Sequence, residues 1–259
     1  MKTRLFSGWK TRAQMLCLAA KTPLWLAQAA WPAMRAAGGG RIVLTTDPAG
    51  AEVFVKAADT GFNNAVGSTN GPLAIESLRR RYLERGEVPD RGVATPVLRS
   101  WERCLRLGLD LGERARPSNT TRGDLMVARE RNAALLNHAG GVMEHLYEQI
   151  RASGSMVLLA DASGLILHGI GDPAFVDRAS RVALQPGASW SECQRGTNAI
   201  GATLIERAPV EIFGAEHYLD CNGVLTCSAA PIFDCCGELL GALDISGDHR
   251  SHQPHTLGL

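Results

Sequence analysis

Lysine is scarce in this 259-residue chain: Lys2, Lys10, Lys21 and Lys56 are all it has, and every other basic side chain is arginine. None of the four follows a glycine. A phosphate-binding P-loop needs that Gly-Lys pair, because the ammonium contacts the phosphates, so P-loop ATP chemistry is not expected. No run of about 18 apolar residues occurs, and no membrane-spanning helix is predicted. No two cysteines have the Cys-x2-Cys spacing of a structural zinc site, and Cys235 and Cys236 are adjacent. The total of seven cysteines is odd and fits no ladder of disulfides, which points to a reduced, cytoplasmic compartment. A basic recognition helix near the C-terminus is also missing, so no direct contact with nucleic acid is expected from this chain. Net charge is +1, with no general pull toward polyanions.

Acidic residues are absent before Asp47, and this shift in composition marks a boundary. Residues 1–71 read as an unassigned N-terminal extension, disordered or spurious. Lys2, Arg4, Lys10 and Arg12 precede an apolar stretch from Met15 to Trp31 that imitates a secretory signal, but Lys21 and Pro23 interrupt it. Gly38-Gly39-Gly40 reads as a flexible break, Val43 to Val55 as a strand pair, and Phe62 to Gly71 as a linker.

Residues 72–153 read as a helical lead-in. Pro72 opens one helix, with Leu73, Ile75, Leu78 and Leu83 as its apolar positions. Thr95 is the expected N-cap of a second, followed by Pro96, Val97, Leu98, Trp101, Leu105 and Leu107. Thr120 or Thr121 caps one long helix to Ile150, with Leu125, Ala128, Leu135, Val142 and Leu146 near a 3.6 period and Gly140-Gly141 weakening it midway. That narrow seam suits either a cap packed on the next domain or helix pairing between two subunits of a homodimer.

Residues 154–259 carry short apolar runs divided by turns and one helical stripe, Ile200 to Ile205. Strands joined mainly by hairpins, with helices beside them, give an α+β class: a central antiparallel sheet flanked by helices. Gly196-Thr197-Asn198 at a helix start offers backbone N–H groups to a carbonyl or carboxylate, or is only a cap with glycines for close packing. Trp190 and Glu192 suit a ligand wall and anchor, or a core lid. Asp244 joins the apolar face of the last strand, and Cys227 and His217 are further polar exceptions near the same region.

Trp190-Ser191-Glu192, Gly196-Thr197-Asn198-Ala199-Ile200-Gly201, Glu216-His217-Tyr218, Leu225 to Ile232 and Leu243-Asp244-Ile245-Ser246-Gly247 occur in this order. Together with Arg99-Ser100-Trp101-Glu102-Arg103-Cys104, they resemble the GAF sensory region of the acetoin-catabolism regulators, sigma-54-dependent bacterial transcription activators. The resemblance covers residues 74–259. It implies a GAF-like domain that binds a small polar metabolite (an acetoin-like ketone, diol or acid) through Trp190, Glu192, Thr197, Asn198, His217, Cys227 and Asp244. No catalytic residue, metal or cofactor is expected. It also implies that the domain's closing helix, an ATPase and a DNA-binding domain would follow Leu259. Ala202-Thr203 and Cys235-Cys236 depart from the family's pattern. Two other readings stand beside this one: a Cys-dependent redox enzyme on the same fold, and a structural dimerisation module with a degenerate pocket.

Overall fold

The computed structural model describes residues 13–19, 39–45, 52–58, 72–89, 92–112, 120–151 and 153–249. Most of the signal-like stretch, the expected linker 62–71 and the histidines His252 and His255 lie outside them. Within the extension, β1 (Ala13–Ala19) runs parallel to β2 (Gly39–Thr45), which pairs antiparallel with β3 (Glu52–Ala58). Val43 stands opposite Phe54, the hairpin that the alternation predicts, while Gly39 and Gly40 belong to β2 rather than to a break.

Among the described residues the lead-in has four helices. They are α1 (Pro72–Arg85), α2 (Thr95–Arg106), α3 (Arg122–Arg131) and α4 (Ala133–Ile150). The N-cap of α2 is Ala94, in extended backbone and without a side-chain bond, one residue before the expected Thr95. Val97, Ser100, Trp101 and Cys104 form its buried stripe. Leu105 and Leu107 are 39% and 54% exposed, because they fall off that stripe and past its end.

The single long helix expected up to Ile150 is two. Thr121 does cap α3, through a reciprocal capping box with Asp124. The chain then leaves helical geometry at Asn132, whose Nδ2 donates to the Ala128 carbonyl. Gly140 and Gly141 lie inside an unbroken α4. The face Leu135, Ala139, Met143, Leu146 and Ile150 is buried along its length, and packing of this kind outweighs local propensity.

The core domain follows with β4 (Ser155–Asp161), β5 (Ile166–Gly171), α5 (Pro173–Ser180), α6 (Glu192–Arg195), α7 (Ala199–Glu206), β6 (Val210–Phe213), β7 (Leu225–Asp234) and β8 (Leu239–Asp248). The strand order is β1-β2-β3-β7-β8-β4-β5, with β6 also on β7. Strands β6-β7-β8-β4-β5 make a five-stranded antiparallel sheet, so the class is α+β as expected. Strand β6 pairs residues 226–229 of β7 and β3 pairs residues 232–234. Pro231 falls in the gap between them, where no strand on that edge asks for its missing N–H.

The sheet is covered on both sides, which is why β4 and β7 are buried almost without interruption. On one face Leu158, Ala229 and Ala242 pack with Trp101, Trp190, Phe175 and Ile200. On the other, Val157, Leu159 and Ile245 meet Leu135, Met143 and Leu146 of α4. The α4 seam is therefore spent on the sheet of its own chain, and Leu135 and Leu146 do not offer a face for helix pairing between subunits.

Candidate functional site

The sequence motif around α6 and α7 folds into a closed joint. Trp190 is buried, its indole Nε1 donates to the Ala183 carbonyl at 2.9 Å, and its backbone N–H donates to Gly164 at 2.7 Å. Asn198 caps α7: its Oδ1 accepts from the Gly201 N–H and its Nδ2 donates to the Gly196 carbonyl, both at 2.8 Å. Gly201 is required by approach, since a Cβ there would lie 2.7 Å from the Glu192 nitrogen and 2.9 Å from the Trp190 oxygen. Gly196 has φ +63°, and a Cβ on it would meet the Tyr218 Cβ at 2.7 Å.

Glu192 and Thr197 face α2. The Glu192 carboxylate is buried and accepts from Ser100 Oγ, from Arg103 Nε at 2.5 Å and from Arg103 Nη2 at 3.0 Å. Arg103 Nη1 reaches Glu206 at the end of α7 at 2.9 Å, and Arg99 Nε joins it at 3.2 Å. With its hydrogen on Glu192, Ser100 Oγ accepts from the Thr197 hydroxyl at 2.7 Å, and Cys104 Sγ lies 3.5 Å from the Thr197 oxygen. Burial opposes ionisation of Glu206, but Arg99 and Arg103 outweigh it and hold the carboxyl below its usual range. Burial pushes the Cys104 thiol up to about 11. Trp190, Glu192, Thr197 and Asn198 are thus brought together, but every polar atom named here already has a protein partner. Ser100, Arg103 and Cys104 belong to this joint, and sequence reasoning gave them no role. Their signal was the run Arg99 to Cys104, which carries them at helical spacing.

A second group lies on the sheet. Cys227 of β7 stands opposite Ser246 of β8, and Asp244 is two residues along on the same face. Ser246 Oγ is 2.6 Å from Asp244 Oδ2 and 3.1 Å from Cys227 Sγ, and its one hydrogen serves one of them at a time. Asp244 Oδ1 is buried with no hydrogen-bond partner among the described residues. Burial raises the Asp244 carboxyl to about 7, despite the Ser246 bond, and raises the Cys227 thiol well above its ordinary value.

His217 lies on another segment, directly after the 3-10 turn Gly214–Glu216. Its Nδ1 bonds the Gly214 carbonyl at 3.0 Å, so Nδ1 carries the hydrogen and Nε2 presents a lone pair. That Nε2 is buried and has no partner among the described residues. Burial drives the imidazole down to about 4, with Arg79 adding to the effect, so the ring is neutral at pH 7. Its segment is pinned by the lead-in: Arg79 donates to the His217 and Tyr218 carbonyls at 2.6 and 2.9 Å and pairs with Asp220. Trp101 Nε1 donates to the Glu216 carbonyl at 2.7 Å, and the Tyr218 N–H donates to Thr197 at 3.2 Å. Thr226 Oγ1 and Asn222 Nδ2 are likewise buried without partners among the described residues, a pair the sequence did not signal. No group of three or more His, Cys, Asp or Glu is placed to hold a metal ion among the described residues, and no described helix is long and apolar enough to cross a membrane.

Residues 71–259 match the family described as MimR, N-terminal domain. The chain belongs to this family. Among relatives, the MimR-type N-terminal domain here is 32% identical over 180 residues to the acetoin dehydrogenase operon transcriptional activator AcoR of Bacillus subtilis, covering 70% of this chain and 30% of that protein. It is 36% identical over 152 residues to the acetoin catabolism regulatory protein of Cupriavidus necator, covering 58% and 23%. The chain therefore spans less than a third of the length of these curated relatives. A crystal structure of the Escherichia coli DhaR(N)–DhaL complex shares the fold with a TM-score of 0.59 at 22% identity, over 63% of this chain and 56% of that one.

Proposed function

We propose that the chain is the small-molecule-sensing GAF-like input region of a bacterial sigma-54-dependent transcription regulator, acting as a homodimer. Its ligand is a small polar metabolite, an acetoin-like ketone, diol or acid. Family membership and the acetoin regulators among its relatives support the class. The observation that carries the site is the pair of buried acceptors, Asp244 Oδ1 and His217 Nε2, left without donors. Each unmatched buried polar atom costs on the order of 1–3 kcal/mol, and a ligand hydroxyl supplies the missing hydrogen. In this reading Asp244, His217 and Cys227 contact the ligand. Trp190, Glu192, Thr197 and Asn198 position the α7 start and connect it to α2. Ligand binding shifts the balance between two settings of that joint, which requires different affinity for the two. A redox enzyme would need an activated thiolate, and burial moves both Cys104 and Cys227 in the opposite direction.

A thermal-shift series with acetoin and a panel of small ketones, diols and acids tests the reading. The wild-type chain gains melting temperature with ligand concentration. Asp244→Asn and His217→Phe lose that gain, whereas Asn198→Ala melts lower but keeps it. Retention of the full gain by both Asp244→Asn and His217→Phe would move the site elsewhere. Absence of any gain across the panel in the wild type would sink the metabolite class.

A further inference from the structure

The hairpin joining β7 and β8 turns at Asp234-Cys235-Cys236-Gly237. Asp234 Oδ1 accepts from the Cys236 and Glu238 N–H groups, both at 2.8 Å. The Gly237 N–H donates to the Asp234 carbonyl at 3.1 Å, and the Asp234 N–H donates to Glu238 at 2.9 Å. Gly237 takes φ +83°, the left-handed conformation that closes such a turn. In a strand, successive side chains point to opposite faces. Here the turn brings both to one side: Cys235 and Cys236 are exposed, with their sulfurs 3.9 Å apart.

A disulfide between them is disfavoured. Neighbouring Cα atoms lie about 3.8 Å apart across a trans peptide, whereas disulfides usually span ~4.4–6.8 Å between Cα atoms. A bond forced into that geometry is strained and readily reduced. The hydrogen bond shared with Cys235, then the charges of Cys235 and Asp234, raise the Cys236 thiol. What the turn presents is a pair of exposed thiols whose closure into a disulfide is strained. Their separation suits one atom that takes both sulfurs without an S–S bond.

We propose that Cys235 and Cys236 form a dithiol clasp for trivalent arsenicals. The step is a condensation. Two As–S bonds form on an arsenic(III) oxide, the two S–H bonds break, and the oxygen leaves as one water carrying both thiol hydrogens. Arsenic stays trivalent and no electrons move. The clasp is wired to the sensory domain. Arg207, directly after α7, donates from Nη2 to the Gly237 carbonyl at 2.6 Å, and its guanidinium lies 5.0 Å from the Phe233 ring centroid. Occupancy of the turn therefore bears on the end of α7 whose start is the Asn198 cap. The site does not depend on the metabolite reading.

The test is titration of the full chain with phenylarsine oxide, read by native mass spectrometry after washing with a monothiol and then with 1,2-ethanedithiol. One phenylarsino group per chain survives the monothiol and is removed by the dithiol. Cys235→Ser and Cys236→Ser each weaken that retained binding by about 100-fold or more, the advantage lost when a linked pair becomes a single ligand. Cys193→Ser keeps it. Arg207→Ala keeps the adduct but loses the melting shift that the arsenical produces in the wild type. The clasp is refuted if both serine variants retain a dithiol-reversible adduct, or if the wild type retains none after the monothiol wash. An unchanged melting shift in Arg207→Ala refutes the link to α7.

Discussion

Asp244 is buried with one carboxylate oxygen bonded to Ser246 and the other without a partner among the described residues. Its carboxyl titrates at about 7 when folded, because burial disfavours the charge, against about 3.9 in an unfolded chain. Below the lower value both states hold the proton and the group is neutral toward stability. Between the two, the folded state keeps a proton that the unfolded state has lost, so stability falls as pH rises and the full penalty is present above about 7. Glu216, pushed up to about 7 by burial and by the Glu211 charge, acts in the same direction. His217 acts in the opposite one. Its folded value of about 4 lies below the ordinary imidazole, so its contribution is present at neutral pH and is lost as pH falls through that value. Asp244→Asn is therefore expected to melt higher than the wild type at pH 8, by on the order of 2 kcal/mol of added stability, with the gap closing toward pH 4. Thermal melts across that range check it, and a gap that widens toward acid would contradict the assignment. A residue that weakens the fold while awaiting a ligand is the pattern expected of a binding group.

At the scale of elements, the joint between α2 and the α6–α7 turn holds the lead-in to the core domain. The Glu192 side chain is 2% exposed and its partner Arg103 is 27% exposed. Removing one member of such a pair leaves the other desolvated and alone, at about 3–5 kcal/mol when burial is complete. Solvent at Arg103 screens part of this, so Arg103→Ala is expected to lower stability by roughly 2–3 kcal/mol in urea unfolding. Adding Glu192→Gln to that variant recovers part of the loss, a non-additivity of about 1 kcal/mol or more. Strict additivity of the two changes would mean that the geometry does not reflect a working pair. Both partners were visible in the sequence, Arg103 in the helical run and Glu192 in the Trp-Ser-Glu motif. Their meeting was not, because 89 residues separate them and helical spacing says nothing of what a helix faces. The stripe of α2 was half legible for a related reason: Trp101 falls on the buried face, while apolar Leu105 and Leu107 lie off it.

For the whole molecule, α4 decides how the lead-in contributes to stability. Its Leu135, Met143 and Leu146 close one side of the sheet against Val157, Leu159 and Ile245. Leu146→Ala is expected to cost about 2–5 kcal/mol, as truncation of a buried leucine does, and to leave the sedimentation of the folded protein unchanged. Loss of a dimer without loss of stability would instead return the seam to a role between subunits. If the proposed homodimer forms, its contact must use other surface, since these side chains are already buried within one chain.

The sequence by itself determined the class, the helical stripe that became α7, and the family. Those rest on local information: apolar alternation, caps such as Thr121, and ordered short motifs. It also held the hairpin of β2 and β3, through the alternation from Val43 to Val55. Only the tertiary structure decided which polar side chains are satisfied. Asn198 and Thr197 looked free at a helix start, and they are consumed by Gly196, Gly201 and Ser100. Asp244 and His217 looked no different from them, and they remain unmatched. The physical reason is that a hydrogen-bond partner is fixed by where distant segments cross, and burial, which sets both the cost of an unmatched atom and the shift of its pKa, exists only once they have crossed.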